Sequence, residues 1–201
     1  MTEFRFPREV VCPDDIKFQK NFDAQLEAFQ PYYRMKFEIC EWLEPRRIAE
    51  IGVRAGYSAW SFLQAVPNSE YFGFDLNQGT HGAAGGENGV YMKWARKILE
   101  GYRGTLTELD SQAVEDIGLT DIDLFHVDGD HSYDATFHDL DLALKAVRPE
   151  GFILIDDTAN KSIPSVKQAV TDWLKEKMFD ATWQEGSGIG QCLIRVKESN
   201  R

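Results

Sequence analysis

Arg47-Ile48-Ala49-Glu50-Ile51-Gly52-Val53-Arg54-Ala55-Gly56-Tyr57-Ser58 reads as a buried strand that runs into a glycine turn and then a helix. Gly52 and Gly56 permit a tight turn and a close approach of the backbone to a ligand. The dinucleotide fingerprint G-x-G-x-x-G is absent, because Arg54 stands where its second glycine belongs. That glycine is what lets a pyrophosphate approach the backbone, so this turn suits a ligand without phosphate. Glu50 lies two positions before the turn and can accept hydrogen bonds from a cationic amino group, directly or through water.

Downstream, short apolar runs alternate with helical stretches. Strands are expected at Ile48–Ile51, Tyr71–Phe74, Thr105–Leu109, Ile122–Val127, Phe152–Ile155, Ala181–Glu185 and Gln191–Val196. Helices are expected at Tyr57–Ala65, Val90–Glu100, Gln112–Ile117, Tyr133–Val147 and Pro164–Lys177. This alternation implies an α/β fold, a doubly wound Rossmann-like sheet with helices on both faces. The last two strands are joined by Gly186-Ser187-Gly188-Ile189-Gly190 with no helix between them. They read as an antiparallel hairpin after five parallel strands. Upstream, residues 1–46 read as an arm followed by two helices. Pro13-Asp14-Asp15 is a helix start and Pro31 separates the two. Tyr33, Phe37 and Cys40 form the core-facing stripe of the second. Residues 47–201 form the rest of what reads as one domain.

The 201 residues suffice for a substantial core. No stretch approaches the ~20 apolar residues that cross a bilayer, and no signal peptide is expected from the first residues. The net charge of −11 works against nucleic-acid binding and favours a small-molecule partner. Cys12, Cys40 and Cys192 make neither a disulfide framework nor a zinc pattern, which fits reduced thiols in the cytoplasm. The N-terminal helices are candidates for pairing two copies into a homodimer or for capping one site. The glycine-rich stretch 79–89, with His81, reads either as a slack loop or as a lid over the strand ends.

Acidic residues follow the strands. Asp75 lies 23 residues after Gly52 and can accept hydrogen bonds from both hydroxyls of a ribose. Asp110-Ser111 reads as a helix N-cap pair or as an adenine contact. The series Glu50-x-Gly52-x-x-x-Gly56, Asp75, Leu109-Asp110-Ser111, Asp128-Gly129-Asp130-His131-Ser132-Tyr133 and Gly151-Phe152-Ile153-Leu154-Ile155-Asp156-Asp157 resembles the class I methyltransferases. More narrowly it is similar to the subgroup containing macrocin-type sugar O-methyltransferases and relatives of catechol O-methyltransferase. The resemblance runs from about residue 47 to 160. It implies S-adenosylmethionine as cofactor. Glu50, Gly52 and Gly56, followed by Tyr57 and Ser58, would lie about its methionine part, Asp75 at its ribose, Asp110 and Ser111 at its adenine, and Asp128 beside them.

Asp128 ends the fourth strand, and Asp156-Asp157 the fifth. In this topology those strands are neighbours about 4.8 Å apart, so the three carboxylates converge and repel unless a cation or protons intervene. Oxygen ligands favour Mg²⁺, with Ca²⁺ or Mn²⁺ as alternatives. The bland reading is caps and turn formers. For a general base the resemblance points to Asp130, whereas the unperturbed imidazole pKa of about 6.5 points to His131. His126, inside an apolar strand, reads as structural. The expected reaction is metal-assisted O-methylation of a hydroxylated small molecule, a natural-product sugar or a catechol-like phenol, with the hydroxyl bound to the metal. A metal-dependent hydrolase using His126-x-Asp128-x-Asp130-His131 and a cofactor-binding module without catalysis are the alternatives. A short-chain reductase is disfavoured, because Ala95 and Phe137 stand where Tyr91 and Tyr133 would need Lys.

Overall fold

The computed structural model describes residue 4 and residues 22–78, 90–184 and 189–198. The expected helix start at residues 13–15, the glycine-rich stretch 79–89 with His81, Cys12, and residues 185–188 before the last strand lie outside the described residues. In chain order the elements are α1 (Phe22–Leu43), β1 (Arg47–Ile51), α2 (Tyr57–Ala65), β2 (Glu70–Asp75), α3 (Val90–Ile98) and β3 (Arg103–Glu108). A 3₁₀ turn (Ser111–Ala113) follows, then β4 (Ile122–Val127), α4 (Tyr133–Ala146), β5 (Val147–Ile155), α5 (Pro164–Lys177), β6 (Ala181–Gln184) and β7 (Gln191–Arg195).

The described strands form one sheet in the order β3-β2-β1-β4-β5-β7-β6. β3, β2, β1, β4 and β5 pair in parallel, and β7 runs antiparallel between β5 and β6. The central strands are buried on both faces, as a parallel sheet covered by helices requires. Alternation shows it directly. Ala49, Phe125 and Ile153 pack on one side with Leu140 of α4 and Trp173 of α5. Ile48, Leu124 and Leu154 pack on the other with Cys40 of α1, Phe62 of α2 and Leu99 beyond α3. Each large side chain buried this way contributes about 1.5–3 kcal/mol. Trp173, fully buried, also stacks on Phe179 at 5.3 Å.

Local sequence sets the helix starts. The Ser132 hydroxyl accepts from Ala135 N at the head of α4, and Pro164 occupies the first turn of α5, where its missing N–H costs nothing. Gly56 opens α2 at φ 85 without a side-chain cap.

Two expectations are corrected. The break at Pro31 is not there: α1 runs through the proline. Tyr32, Tyr33, Lys36, Phe37 and Cys40 are all buried along the following turns while Pro31 itself faces solvent. Packing of that stripe outweighs the hydrogen bond the proline cannot make. The helix expected at Gln112–Ile117 shrinks to the 3₁₀ turn, because side chains take the backbone groups. His138 Nε2 lies 3.0 Å from Ser111 O and 2.9 Å from Val114 O. Lys145 donates to Glu115 O, and Asp116 accepts from Gly118 N. Such bonds compete with a helical ladder.

Chain order reverses between β1 and β4, which places a crevice at the C-terminal strand ends. The ladder continues one rung past the strands: Asp128 N donates to Ile51 O at 2.9 Å and Asp156 N to Val127 O at 3.1 Å. Gly52, Asp128 and Asp156 therefore stand level at the rim of the crevice.

Candidate active site

A cavity of about 760 Å³ opens at this rim, within the range of small-molecule sites. Gly52, Tyr57 and Ser58 line it at the first turn, and Asp75, Asp110 and Ser111 at the ends of β2 and β3. Asp128, Asp130, His131 and Asp157 line it beyond β4 and β5. Glu50, Gly56 and Asp156 do not reach its wall.

The first turn is tied to the second strand. Asp75 Oδ2 accepts from Arg54 N at 2.8 Å and Oδ1 from Asn77 N at 2.6 Å. A carboxylate held this way keeps a lone pair on each oxygen for further donors. Gly52 sits at φ +89, and a Cβ there would lie 1.9 Å from Asp128 O. Only glycine lets the turn close against the end of β4. At the other end of the cavity Asp110 caps the 3₁₀ turn by accepting from Gln112 N at 3.0 Å. The Gln112 side-chain amide donates to Asp139 Oδ1 at 2.9 Å and to Ser111 Oγ at 3.1 Å. Asp139 is buried, and burial pushes its carboxyl up to about 6.

His131 faces two carboxylates: Nε2 lies 3.2 Å from Asp157 Oδ2 and 3.7 Å from Asp128 Oδ1. Asp128 is the main influence that raises the imidazole to about 9, with Asp157 and Asp156 adding to it against burial. Burial, then Asp156, pushes the Asp128 carboxyl up to about 6. Asp130 turns its Oδ1 to Ser132 N at 2.7 Å, where it steadies the turn into α4.

Behind the cavity wall lies a polar network that the sequence reading did not find. Glu50 is fully buried, accepts from the Tyr71 hydroxyl, and pairs with His126 Nδ1 at 2.9 Å. His126 Nε2 lies 3.6 Å from Asp156 Oδ2. Asp156 receives Lys36 Nζ at 2.6 Å and the Tyr32 hydroxyl. Against the upward push of burial, Lys36 and then His126 hold this carboxyl well below the usual carboxylate range. The structure thus gathers Asp128, His131 and Asp157 about one point and sets Asp156 behind them. One signal for Lys36 was in the sequence: Tyr32, Lys36 and Cys40 are spaced four apart, which puts the lysine on the buried stripe of α1.

Five parallel strands, an antiparallel return and an acidic crevice at the switch point define a Rossmann-like methyltransferase. Residues 49–158 match the family described as "Methyltransferase domain", more than half of this chain, and the chain belongs to that family. It is similar in fold to the O-methyltransferase of Bacillus cereus solved in complex with S-adenosylhomocysteine. That likeness has a TM-score of 0.64 and 16% identity, and covers 96% of each chain. It is similar also to the O-methyltransferase TomG of Streptomyces achromogenes, involved in tomaymycin synthesis and solved with S-adenosylmethionine. There the TM-score is 0.62 and the identity 18%, over 94% of this chain and 93% of that one. An uncharacterised protein of Sinorhizobium fredii (strain NBRC 101917 / NGR234), y4gI, is 34% identical over 130 residues. That match covers 58% of this chain and 13% of y4gI, so the chain spans a small part of that relative's length. Among the described residues no helix is long and apolar enough to cross a membrane.

Proposed function

We propose that this chain transfers a methyl group from S-adenosylmethionine to a hydroxyl oxygen of a small molecule, with His131 as the proton acceptor. The observation that carries the reading is the place of His131 at the cavity wall, 3.2 Å from Asp157 and 3.7 Å from Asp128. A base held between two carboxylates stabilises the imidazolium that proton transfer creates.

The donor set suits this cofactor. Asp75, Asp128, Asp130 and Asp157 line the cavity, which repels phosphates and attracts a cationic sulfur. S-adenosylmethionine supplies an electrophilic methyl group on that sulfur. Asp75 accepts from the ribose hydroxyls. Ser111 and Gln112 meet the adenine edge, with Asp110 holding their turn. Gly52, Tyr57 and Ser58 surround the methionine end. Tyr32, Tyr33 and Phe29 form an aromatic wall, which fits the flat face of a phenol or the C–H face of a sugar. The chain aligns acceptor and donor, and His131 takes the hydroxyl proton at Nε2.

A divalent ion held by Asp128, Asp156 and Asp157 does not fit these residues. Asp156 Oδ2 already receives Lys36 and Tyr32, and its Oδ1 accepts from Asp157 N at 2.9 Å. The side chains that do converge, Asp128, His131 and Asp157, include an imidazole. Such a set suits softer ions than Mg²⁺, and an ion on the Nε2 that faces the two carboxylates would consume the base. His126 is fully buried against Glu50, which argues against a hydrolase built on residues 126–131.

The test is calorimetric titration with S-adenosylhomocysteine, followed by assay of labelled methyl transfer to a panel of phenols and glycosides. Binding at one site and an acceptor-dependent transfer that His131→Asn removes would establish the activity. Failure to bind the nucleotide would overturn it.

A further inference from the structure

The sequence places Asp156 among carboxylates that need a cation, and the structure supplies one from the chain itself. Lys36 on α1 is fully buried. Its ammonium has three protons and three acceptors: Asp156 Oδ2 at 2.6 Å, Ser58 Oγ at 2.6 Å and Tyr32 Oη at 2.7 Å. It lies 4.2 Å from the centre of the Tyr32 ring. A buried lysine is tolerated only when its charge is matched in this way.

The consequences reach the cavity wall from behind. Because Ser58 Oγ accepts from Lys36, its own proton is left to point elsewhere, and Ser58 lines the cavity. Because Tyr32 accepts from Lys36, its hydroxyl proton goes to Asp156. Both oxygens of Asp156 are then engaged by the chain, and only 1% of its side chain is exposed, against 21% for Asp128 and 15% for Asp157.

We propose that Lys36 is the built-in cation of the carboxylate cluster, standing at Asp156 where a divalent ion would otherwise stand, so that the site assembles without a metal. The chain's own groups face the three carboxylates: Lys36 Nζ lies 2.6 Å and His126 Nε2 3.6 Å from Asp156 Oδ2, while His131 Nε2 faces Asp128 and Asp157. A divalent ion taking Asp156 as a ligand would have to expel the ammonium from its three acceptors. Lys36 is a positioning residue, since it touches neither cofactor nor acceptor. Its part is to hold Asp156, Ser58 and Tyr32 in register and so to fasten α1 to the ends of β4 and β5. The function of this arrangement rests on the methyl-transfer reading above, but the ion balance does not.

The experiment is titration of the purified chain with Mg²⁺, Ca²⁺ and Mn²⁺ in turn, by calorimetry and by thermal shift, alongside S-adenosylhomocysteine as a separate ligand. The wild type is expected to show no saturable binding of any of the three ions at millimolar concentration. Lys36→Met frees Asp156 and is expected to gain a divalent site, which Lys36→Met/Asp156→Asn loses again. A merely structural lysine would not create a metal site on removal. Saturable binding to the wild type that Asp157→Ala abolishes would overturn the proposal. So would a folded Lys36→Met that binds no ion. If Lys36→Met does not fold, the wild-type titration decides alone. Nucleotide binding reads the methyl-transfer assignment independently of either result.

Discussion

His131 Nε2 stands 3.2 Å from Asp157 Oδ2, so this imidazole at the cavity wall is held by a carboxylate from the end of β5. Asp128, from the end of β4, is the stronger influence on its protonation, which lies at about 9. A base works only when neutral, so its active fraction grows with pH up to that value. We therefore expect kcat/KM to rise with pH towards about 9 and then level. In Asp128→Asn the rising limb shifts to lower pH, and NMR titration of the His131 ring shows the same displacement. His131→Asn lowers kcat by about 10²–10⁴ while leaving affinity for S-adenosylhomocysteine within a few-fold. A pH limb that survives in that variant would assign the base elsewhere.

Asp139 carries a different pH signature, on stability. Burial raises its folded carboxyl to about 6, whereas an unfolded aspartate titrates near 3.9. Between these values the folded state holds more protons than the unfolded one, so stability falls as pH rises through the window. Asp139→Asn never ionises and still accepts the Gln112 amide. It should gain on the wild type across pH 4–6 by up to about 3 kcal/mol. Urea unfolding at pH 4 and pH 8 measures the difference. An equal midpoint shift at both values would remove Asp139 as the source.

Gly52→Ala tests the closure of the first turn. The added Cβ meets the backbone of Asp128 at 1.9 Å, and the residue sits at φ +89. The atoms it meets belong to the backbones of Asp128 and Gly129, not to a flexible side-chain tip, so the turn must open. The left-handed conformation alone costs about 1–2 kcal/mol, and the clash adds to it. We expect a lower Tm and nucleotide affinity reduced at least tenfold by titration. Wild-type affinity in the folded variant would show that the cofactor does not depend on this approach.

What the sequence made legible follows its physics. β4, Ile122–Val127, was readable to the residue because Ile122, Leu124, Phe125 and Val127 make it mostly apolar, as a strand buried on both faces is, with Asp123 and His126 its polar exceptions. The carboxylates were readable because residues after adjacent strand ends stand together. The partner of Asp156 was not. Lys36 sits on an element far away in sequence, and a lysine on a helix reads as solvated until the helix docks. Glu50 looked like a ligand contact at a strand end, yet side-chain alternation turns it towards α2, onto Tyr71 and His126. The missing helix after β3 was lost to His138 and Lys145, whose reach across from α4 no local pattern reports.

Pro31 offers the last test, because its helix survives a residue that ordinarily ends one. A proline inside a helix removes one backbone bond and crowds the preceding carbonyl, at a cost of about 3 kcal/mol. Here the ring is exposed, while Tyr32 and Lys36 just beyond it are locked to Asp156. Docking of α1 is what offsets that cost. Pro31→Ala restores the donor without touching a buried contact and should raise stability by up to about 3 kcal/mol. The gain should persist in an Asp156→Asn background if the two effects are independent. Unfolding by urea gives both numbers. A loss of stability in Pro31→Ala would mean that the proline shapes the helix bend which brings Lys36 to its acceptors.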